Sequence, residues 1–404
     1  MPINKASDIA QNRSPIYLFF FTYVIPITST FLTAALWTLA DIVGSILLVK
    51  IWRSRSISKQ NQFEGRDHLV ALFYLFNPYI VLSCIARSTT SLDNVLILAA
   101  IMGACTGQGV SSMVALALAT HTSLYPALLL PPLLLVLSRV LDSKRSAASA
   151  VRDIVVLVAT YAGIGALETA VLGGTQWARP TLGVILTVSD LTPNVGMWWY
   201  FFTEMFDHFR NFFRGVFQMH MLIYVAPLCI RLADPTHVVL ILVGTISTWK
   251  SYPTVGDMGL WAGLLGCFPE LIANLRHPLF SLTVHLYTCI LLPLLHSLWL
   301  LTGSGNANFF YAATMVYGLN STLAVADVLS ASITYDMKQR LRPLLFTVSS
   351  SSSSSVDEVT EADKGAVDGT GTQSGSRNAD GQALPERCER DELDLSIVQL
   401  ATLD

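Results

Sequence analysis

The sequence predicts an all-α protein, a polytopic integral membrane helix bundle of about ten to twelve membrane segments, each crossing taking about 20 apolar residues. Three observations predict it. Of the 404 residues, 52% are hydrophobic and only 13% charged, about half the charged share of an ordinary soluble domain. Apolar runs recur from Pro15 to Ile333, separated by turns and short charged clusters. At Val348 the composition changes abruptly, to seven consecutive serines (Ser349 to Ser355) and then an acidic, glycine-rich run without an aromatic residue. Three parts follow: a polar segment, 1–14; a multi-span membrane domain, 15–343; and a Ser-rich acidic tail, 344–404. The tail is expected to be disordered and cytosolic, because it cannot bury enough apolar surface to offset the entropy of ordering.

The first run, Pro15 to Trp52, carries only Asp41 and Lys50 as charges and is too long for one straight crossing. A break near Pro26 or Thr30 is expected, then a span from Phe31 to Trp52. Arg53, Arg55, Lys59 and Arg66 in the next loop place it in the cytosol by the positive-inside rule. His68 to Ala86 reads as one span. Leu92 to Thr106 and Val110 to Val140 read as shorter or broken pieces, the second interrupted by Pro126, Pro131 and Pro132, so both should be buried against other helices that satisfy the freed backbone. Arg139 to Asp153 is a second basic loop, and Ile154 to Leu172 returns from it. Further apolar segments fall at Met219 to Leu232, His237 to Trp249, Met258 to Ile272, Leu279 to Trp299 and Phe309 to Ile333. Lys338, Arg340 and Arg342 then hold the tail in the cytosol.

Several function classes drop out. A net charge of −3, with basic residues in short separate clusters, excludes nucleic-acid binding. The six cysteines show no CxxC spacing, which excludes a disulfide framework and a zinc site. No HExxH, GxSxG or P-loop occurs, so no catalytic residue, metal or cofactor is assigned. His121 reads as a packed histidine, and the sequons at Asn12 and Asn320 as chance matches. The first fourteen residues lack the apolar core of a cleavable signal peptide, so the first membrane segment is expected to direct targeting.

Charges at membrane depth cost about 2.5–3.5 kcal/mol at a helix centre, so each requires a partner or a polar cavity. Here they are Asp41, Asp190, Glu204, Lys250, Asp257 and Asp327. Lys250 and Asp257 bracket Ser251-Tyr252-Pro253-Thr254-Val255-Gly256, a broken stretch that either offers backbone groups to a phosphate or sugar, or is locked by the two charges neutralising one another. Gly303-Ser304-Gly305-Asn306-Ala307-Asn308 runs into Phe309, Phe310 and Tyr311. Its two amides could hold glycan hydroxyls or a phosphodiester, or the stretch is an ordinary loop with an aromatic anchor. Asp190 and Asn194 flank Pro193 and Gly196 ahead of Trp198, Trp199, Tyr200, Phe201 and Phe202. They read as caps of a helix starting near Val195 or as groups beside a bound lipid head, and the aromatic block as an anchor at headgroup depth. Glu204 to Arg214 suggests an interfacial helix. Arg231, Lys144 and Arg145 sit where anionic headgroups would be met, or only set the topology.

The run SDLTPNVGMWWYFFTEMFDHF from Ser189 resembles the signature of the phosphatidylinositol-glycan class U (PIG-U) subunits of the glycosylphosphatidylinositol (GPI) transamidase. FYLFNPYIVLSCIARST from Phe73, ALATHTSLYPALLL from Ala117, KSYPTVGD from Lys250 and GSGNANFFYA from Gly303 follow the same family in order. Five ordered blocks are specific where one is weak. The resemblance implies a multi-pass protein of the endoplasmic reticulum membrane, without catalytic residues of its own. It would recognise the GPI lipid and present it to a caspase-like partner subunit that supplies the nucleophilic cysteine. It adds membrane phospholipids and other transamidase subunits as partners, and draws Asn306, Asn308, Asp190, Asn194, Arg231, Lys250 and Asp257 toward lipid contact. The family's layout also resembles polytopic glycosyltransferases, so a dolichol-sugar-dependent transferase is the alternative. Against it, Asp41 lies within apolar sequence and the loop after Trp52 is basic. A transporter or scramblase has only the broken helices in its favour. Family members usually begin with a further membrane segment and a luminal loop ahead of the match to Pro15-Ile16-Tyr17-Leu18, which this sequence lacks.

Overall fold

The structure, a computed structural model, describes residues 15, 17, 20, 21, 30–58, 65–142 and 146–364, with side chains described for all of these except 56–58 and 343–364. The described residues form helices and turns only. They fall into two units, Met1–Arg342 and Pro343–Asp404.

The first unit is a helix bundle. Helix α1 (Thr30–Ser58) packs on α2 (Asp67–Leu75) and on α4 (Thr90–Cys105). Between them, α2 and α3 (Pro78–Ile85) meet at a 50° bend, so the single span expected from His68 to Ala86 is a broken one. Pro78 is the cause: it cannot donate to the preceding turn, and Asn77 instead accepts the N–H of Tyr79 at 3.0 Å and starts a new helix. Helix α5 (Gly109–Ser123) returns along α4 and ends at Leu124, whose φ of 62° reverses the chain before Pro126. A 3-10 turn, Tyr125–Leu129, then leads into α6 (Leu130–Leu141), and α7 (Ala147–Leu172) packs on α5.

After a one-turn helix, α8 (Val184–Thr187), come α9 (Trp198–Glu204), α10 (Asp207–Ile223) and α11 (Val225–Arg231). Helix α12 (Pro235–Trp249) is the centre of the bundle, with every residue from His237 to Thr248 buried; a helix apolar all round has no face to give to solvent. It packs on α6 and on α13 (Val255–Leu265), which is followed by the single turn α14 (Pro269–Ile272). The long helices α15 (Pro278–Leu300) and α16 (Ala307–Lys364) complete the order.

Five stretches are long and apolar enough to cross a membrane, Thr30–Arg55, Ala147–Leu172, Asp207–Arg231, Pro278–Leu300 and Ala307–Arg342; the bent α2–α3 pair raises the number to six. The expected ten to twelve segments are therefore not reached by length. The reason is a division of labour: Ala147–Leu172 and Pro278–Leu300 are long and mostly exposed, Thr30–Arg55 and Ala307–Arg342 are long and about half buried, and other apolar helices such as α12 and α13 are short and buried. At roughly 1.5 Å per residue a helix of that size is shorter than the ~30 Å apolar layer, and protein rather than lipid surrounds it. The segment expected to lie in the interface, α10, is strongly amphipathic, and together with α11 it is long and apolar enough to count among the five.

In the second unit the backbone is helical from Pro343 through the serine run to Lys364, and residues 365–404 lie outside the described residues, as do 1–14 and the expected break at Pro26.

Candidate functional site

The α12–α13 break and the α15–α16 turn meet at one end of the bundle, joined by the turn that precedes α9. Gly196 lies so close to Pro253 that a Cβ would come within 2.6 Å of the ring. The Tyr252 hydroxyl donates to the carbonyl of Asp190 (2.8 Å), and the Tyr311 hydroxyl to that of Met197 (3.3 Å). Burial, then the nearby Asp190 charge, push the Tyr252 phenol up, so it stays a donor.

At the break the polar groups are consumed internally. Asp257 takes the Lys250 ammonium on Oδ1 (2.7 Å) and the Thr254 N–H on Oδ2 (2.7 Å), closing a capping box at the start of α13. The Thr254 hydroxyl bonds that of Thr90 (2.9 Å), the Asn94 amide donates to Gly256 O (3.1 Å), and the Ser251 N–H donates to the Tyr125 hydroxyl (3.2 Å). The lysine and aspartate thus hold the bend, and Tyr125, Thr90 and Asn94, which the sequence reading passed over, complete it. Pairs this far apart in sequence left no local signal.

Asp190 and Asn194 also act locally. Asp190 Oδ1 accepts from the Thr192 N–H (3.0 Å), and Asn194 Oδ1 from the Gly196 N–H (2.8 Å). They shape a turn and cap no helix at Val195, because α9 begins only at Trp198, without a side-chain cap. The aromatic block differs from a headgroup anchor too: Trp198, Trp199 and Phe202 are buried. Trp199 lies 5.9 Å from Trp299 and 6.0 Å from Phe310, and Tyr200 4.5 Å from Tyr311. These rings bind α9 to α15 and α16 as an aromatic core.

Asn306 and Asn308 are on the surface of that core. Asn306 Oδ1 caps α16 by accepting the Phe309 N–H (3.0 Å), and Asn308 Oδ1 accepts from the Tyr200 hydroxyl. Both residues are exposed, and neither Nδ2 has a hydrogen-bond partner among the described residues. The turn before them needs glycine at Gly303, where φ is +67°. What results is a rigid aromatic floor presenting two amide donors, suited to hydroxyl or phosphate oxygens.

Arg231 is not brought to this end. It is exposed at the end of α11, beside the Ala233 N–H that Asp336 accepts (3.0 Å), and Asp336 lies about 40 Å beyond Asn308 along α16 at roughly 1.5 Å per residue. Lys144 and Arg145 lie outside the described residues.

The opposite end carries an ionic knot. Arg55 donates to Thr236, pairs with Glu270 and stacks 3.6 Å over the Phe268 ring. Asp234 caps α12 through the Thr236 N–H (3.0 Å) and pairs with Arg139 (3.0 Å). Burial alone would raise its carboxyl, but Arg55, His237 and Arg139 outweigh burial and hold it below the usual range. An apolar groove of about 320 Å3 runs between the α2–α3 bend, α13, α15 and α16, lined by Phe73, Phe76, Trp261 and Leu286. Asp327 at its edge accepts the backbone N–H groups of Arg276 and His277 (both 3.1 Å). His121 is a packed histidine, buried and bonded to Glu168 (2.9 Å), and the sequon residue Asn320 is buried with its amide on Ser281 O (3.0 Å).

Long apolar helices packed with short buried ones, with a polar break and an amide turn at one end, define a polytopic membrane protein of the helix-bundle class. Comparison with known proteins gives the particular family. A family model described as "GPI transamidase subunit PIG-U" matches residues 7–317, so the chain belongs to the PIG-U family. It is 40% identical over 266 residues to the "GPI-anchor transamidase component PIGU" of Homo sapiens, covering 64% of this chain and 61% of that protein. It is 34% identical over 265 residues to the "GPI transamidase component GAB1" of Saccharomyces cerevisiae, covering 65% and 64%. With the GAB1 homolog of Schizosaccharomyces pombe it shares 30% identity over 308 residues, covering 75% and 74%. The chain thus spans less than two thirds of the length of the human and budding-yeast relatives.

Proposed function

We propose that this chain is a non-catalytic, multi-pass subunit of a GPI transamidase in the endoplasmic reticulum membrane, where it recognises the GPI lipid and presents it for attachment to protein C-termini. The observation that carries the reading is the pair of exposed amides, Asn306 and Asn308, on an aromatic floor at one end of the bundle, in a chain of the PIG-U family. Amide donors match the hydroxyl and phosphodiester oxygens of a glycan-bearing lipid, and the apolar helix surfaces below match its chains. In this proposal Asn306 and Asn308 touch the lipid head, Asp190 and Asn194 shape the adjoining turn, and Lys250 with Asp257 keeps the break rigid beneath it. Arg231 would meet phospholipid headgroups at the basic end, and Lys144 and Arg145, by their basic sequence, would do so in a loop that the positive-inside rule assigns to the cytosol. The short buried helices would complete ten or more crossings together with the long ones. Bond making is assigned to a caspase-like partner subunit.

The test is complementation of a cell line lacking this subunit, reading surface display of a GPI-anchored reporter and co-purification of the other subunits. The N306A/N308A double variant should still co-purify with its partners and display the reporter about tenfold less, the loss of about 1.4 kcal/mol of binding. Undiminished display would refute lipid contact at these amides. Sugar transfer by the isolated chain would favour the glycosyltransferase reading instead.

A further inference from the structure

We infer that Asp41 anchors a binding site for a monovalent alkali cation inside the bundle. Asp41 lies midway along α1, is 5% exposed, and forms no ion pair with a lysine, arginine or histidine among the described residues. It sits beside Cys84 at the end of α3 and Ser91 at the start of α4, and faces Tyr74 of α2, which in turn faces Asn94 of α4. Gly44, one turn on from Asp41, makes room for that tyrosine: a Cβ there would lie 3.0 Å from the Tyr74 hydroxyl. Ser83 and Asn94 both reach Gly256 of α13, the serine lying 2.5 Å from where a Cβ would be and the asparagine donating its Nδ2 to the Gly256 carbonyl. Five side chains from four helices therefore line one buried region of the bundle.

Their oxygens are what is left over. Asp41 Oδ1, Tyr74 OH, Ser83 Oγ, Ser91 Oγ and Asn94 Oδ1 are all buried, and none meets full hydrogen-bond geometry among the described residues, although Cys84 and Ser91 approach the Asp41 carboxyl and Asn94 approaches the Tyr74 hydroxyl. Native interiors rarely hold one such group, so five in one region form a polar pocket suited to an ion. The Asn94 amide is oriented by its bond to Gly256, so its oxygen can only accept, and so can an ionised Asp41. A carboxylate at this depth is strongly disfavoured unless a proton or a cation neutralises it, and the acceptor oxygens grouped around Asp41 favour the cation. The donor set consists of one carboxylate, one amide oxygen and three hydroxyls, which is hard-oxygen chemistry with a single negative charge. One charge calls for one charge, hence an alkali cation and not a divalent one. Carboxamide and hydroxyl oxygens beside broken helices hold such ions in other membrane bundles. Because Asn94 and Ser83 abut Gly256, the bound ion would stiffen the segment that carries Asp257.

The experiment uses the full chain purified with its partner subunits in detergent, with its thermal midpoint measured in sodium, potassium or choline chloride at equal ionic strength. Sodium or potassium should raise the midpoint by about 3 °C or more over choline, the size expected for a ligand well above its Kd. Asp41→Asn should abolish the difference, while Asp190→Asn should keep it. Equal midpoints of the wild type in all three salts, or an unchanged cation response in Asp41→Asn, would overturn the site. Should Asp41→Asn fail to assemble, equilibrium binding of radioactive sodium to the wild type and to Ser91→Ala decides: no saturable binding refutes the site, and saturable binding weakened several-fold by the serine change supports it.

Discussion

The α12–α13 break and the α15–α16 turn have similar sequences and opposite fates. Each sets polar and flexible residues against aromatic or apolar helices, and both lie at the same end of the bundle. In the break the carboxylate of Asp257 takes the Lys250 ammonium and the first N–H of α13, and Thr90, Asn94 and Tyr125 take most of what remains. In the turn the two asparagines spend their oxygens on a cap and on Tyr200, and keep their N–H groups outward. A polar group flanked by neighbours on every side becomes structure; one at the rim of the bundle remains available to a ligand.

The sharpest way to break this comparison is at Asp257. Replacing it with alanine leaves the largely covered Lys250 unpaired and removes the cap, which should cost about 3 kcal/mol and be read as loss of assembled complex in size-exclusion chromatography. A Lys250→Met, Asp257→Leu double change should recover much of the yield, because neither charge is then stranded. If the single variant assembles normally, the break is not the lock described here.

Asn306 separates the two roles inside the turn. Asn306→Asp retains the cap and replaces an amide donor with a negative charge, so the thermal midpoint should stay within about 1 °C of the wild type, given how well aspartate caps helices. Reporter display should nevertheless fall several-fold. Full display would mean that Asn306 only caps α16.

At the other end, acid titration offers a smaller effect. The Asp234 carboxyl is held below its ordinary 3.8, so its contribution to stability is complete above about pH 4 and disappears as pH falls through the lower folded value. Asp234→Asn should be less stable than the wild type at neutral pH, and the gap should close below pH 4 in acid-unfolding curves. A gap that persists at lower pH would contradict the pairing with Arg139 and the influence of the nearby Arg55 charge. Smallest of all, deletion of Ser349 to Asp404 should leave reporter display unchanged, since no part of either polar site lies there.

Much of the helix order was legible. Leu92 to Thr106, His237 to Trp249 and Leu279 to Trp299 appear as α4, α12 and α15 within a few residues, because long apolar runs bounded by proline, aspartate or glycine leave few choices. The bend at Pro78 was not read, and the start of α9 lies three residues later than Val195, since turn bonds such as that of Asn194 to Gly196 compete with helix capping. Arg55 and Arg139 were read as topology signals alone. Their partners, Thr236, Glu270 and Asp234, lie on the far side of the chain and share no local pattern with them.

The sequence by itself determined that this is a helical membrane protein of the PIG-U type, where its apolar runs lie, and which short stretches interrupt them. These are properties of composition and local order, which burial in an apolar layer enforces residue by residue. Only the tertiary structure decided which interruptions are sealed and which stay open, that the aromatic block at Trp198 is a core and not a surface belt, and that Asp41 lies among buried polar side chains of neighbouring helices. Those outcomes depend on what neighbouring helices supply within about 3 Å, the reach of a hydrogen bond, and residues more than a hundred positions apart make that choice.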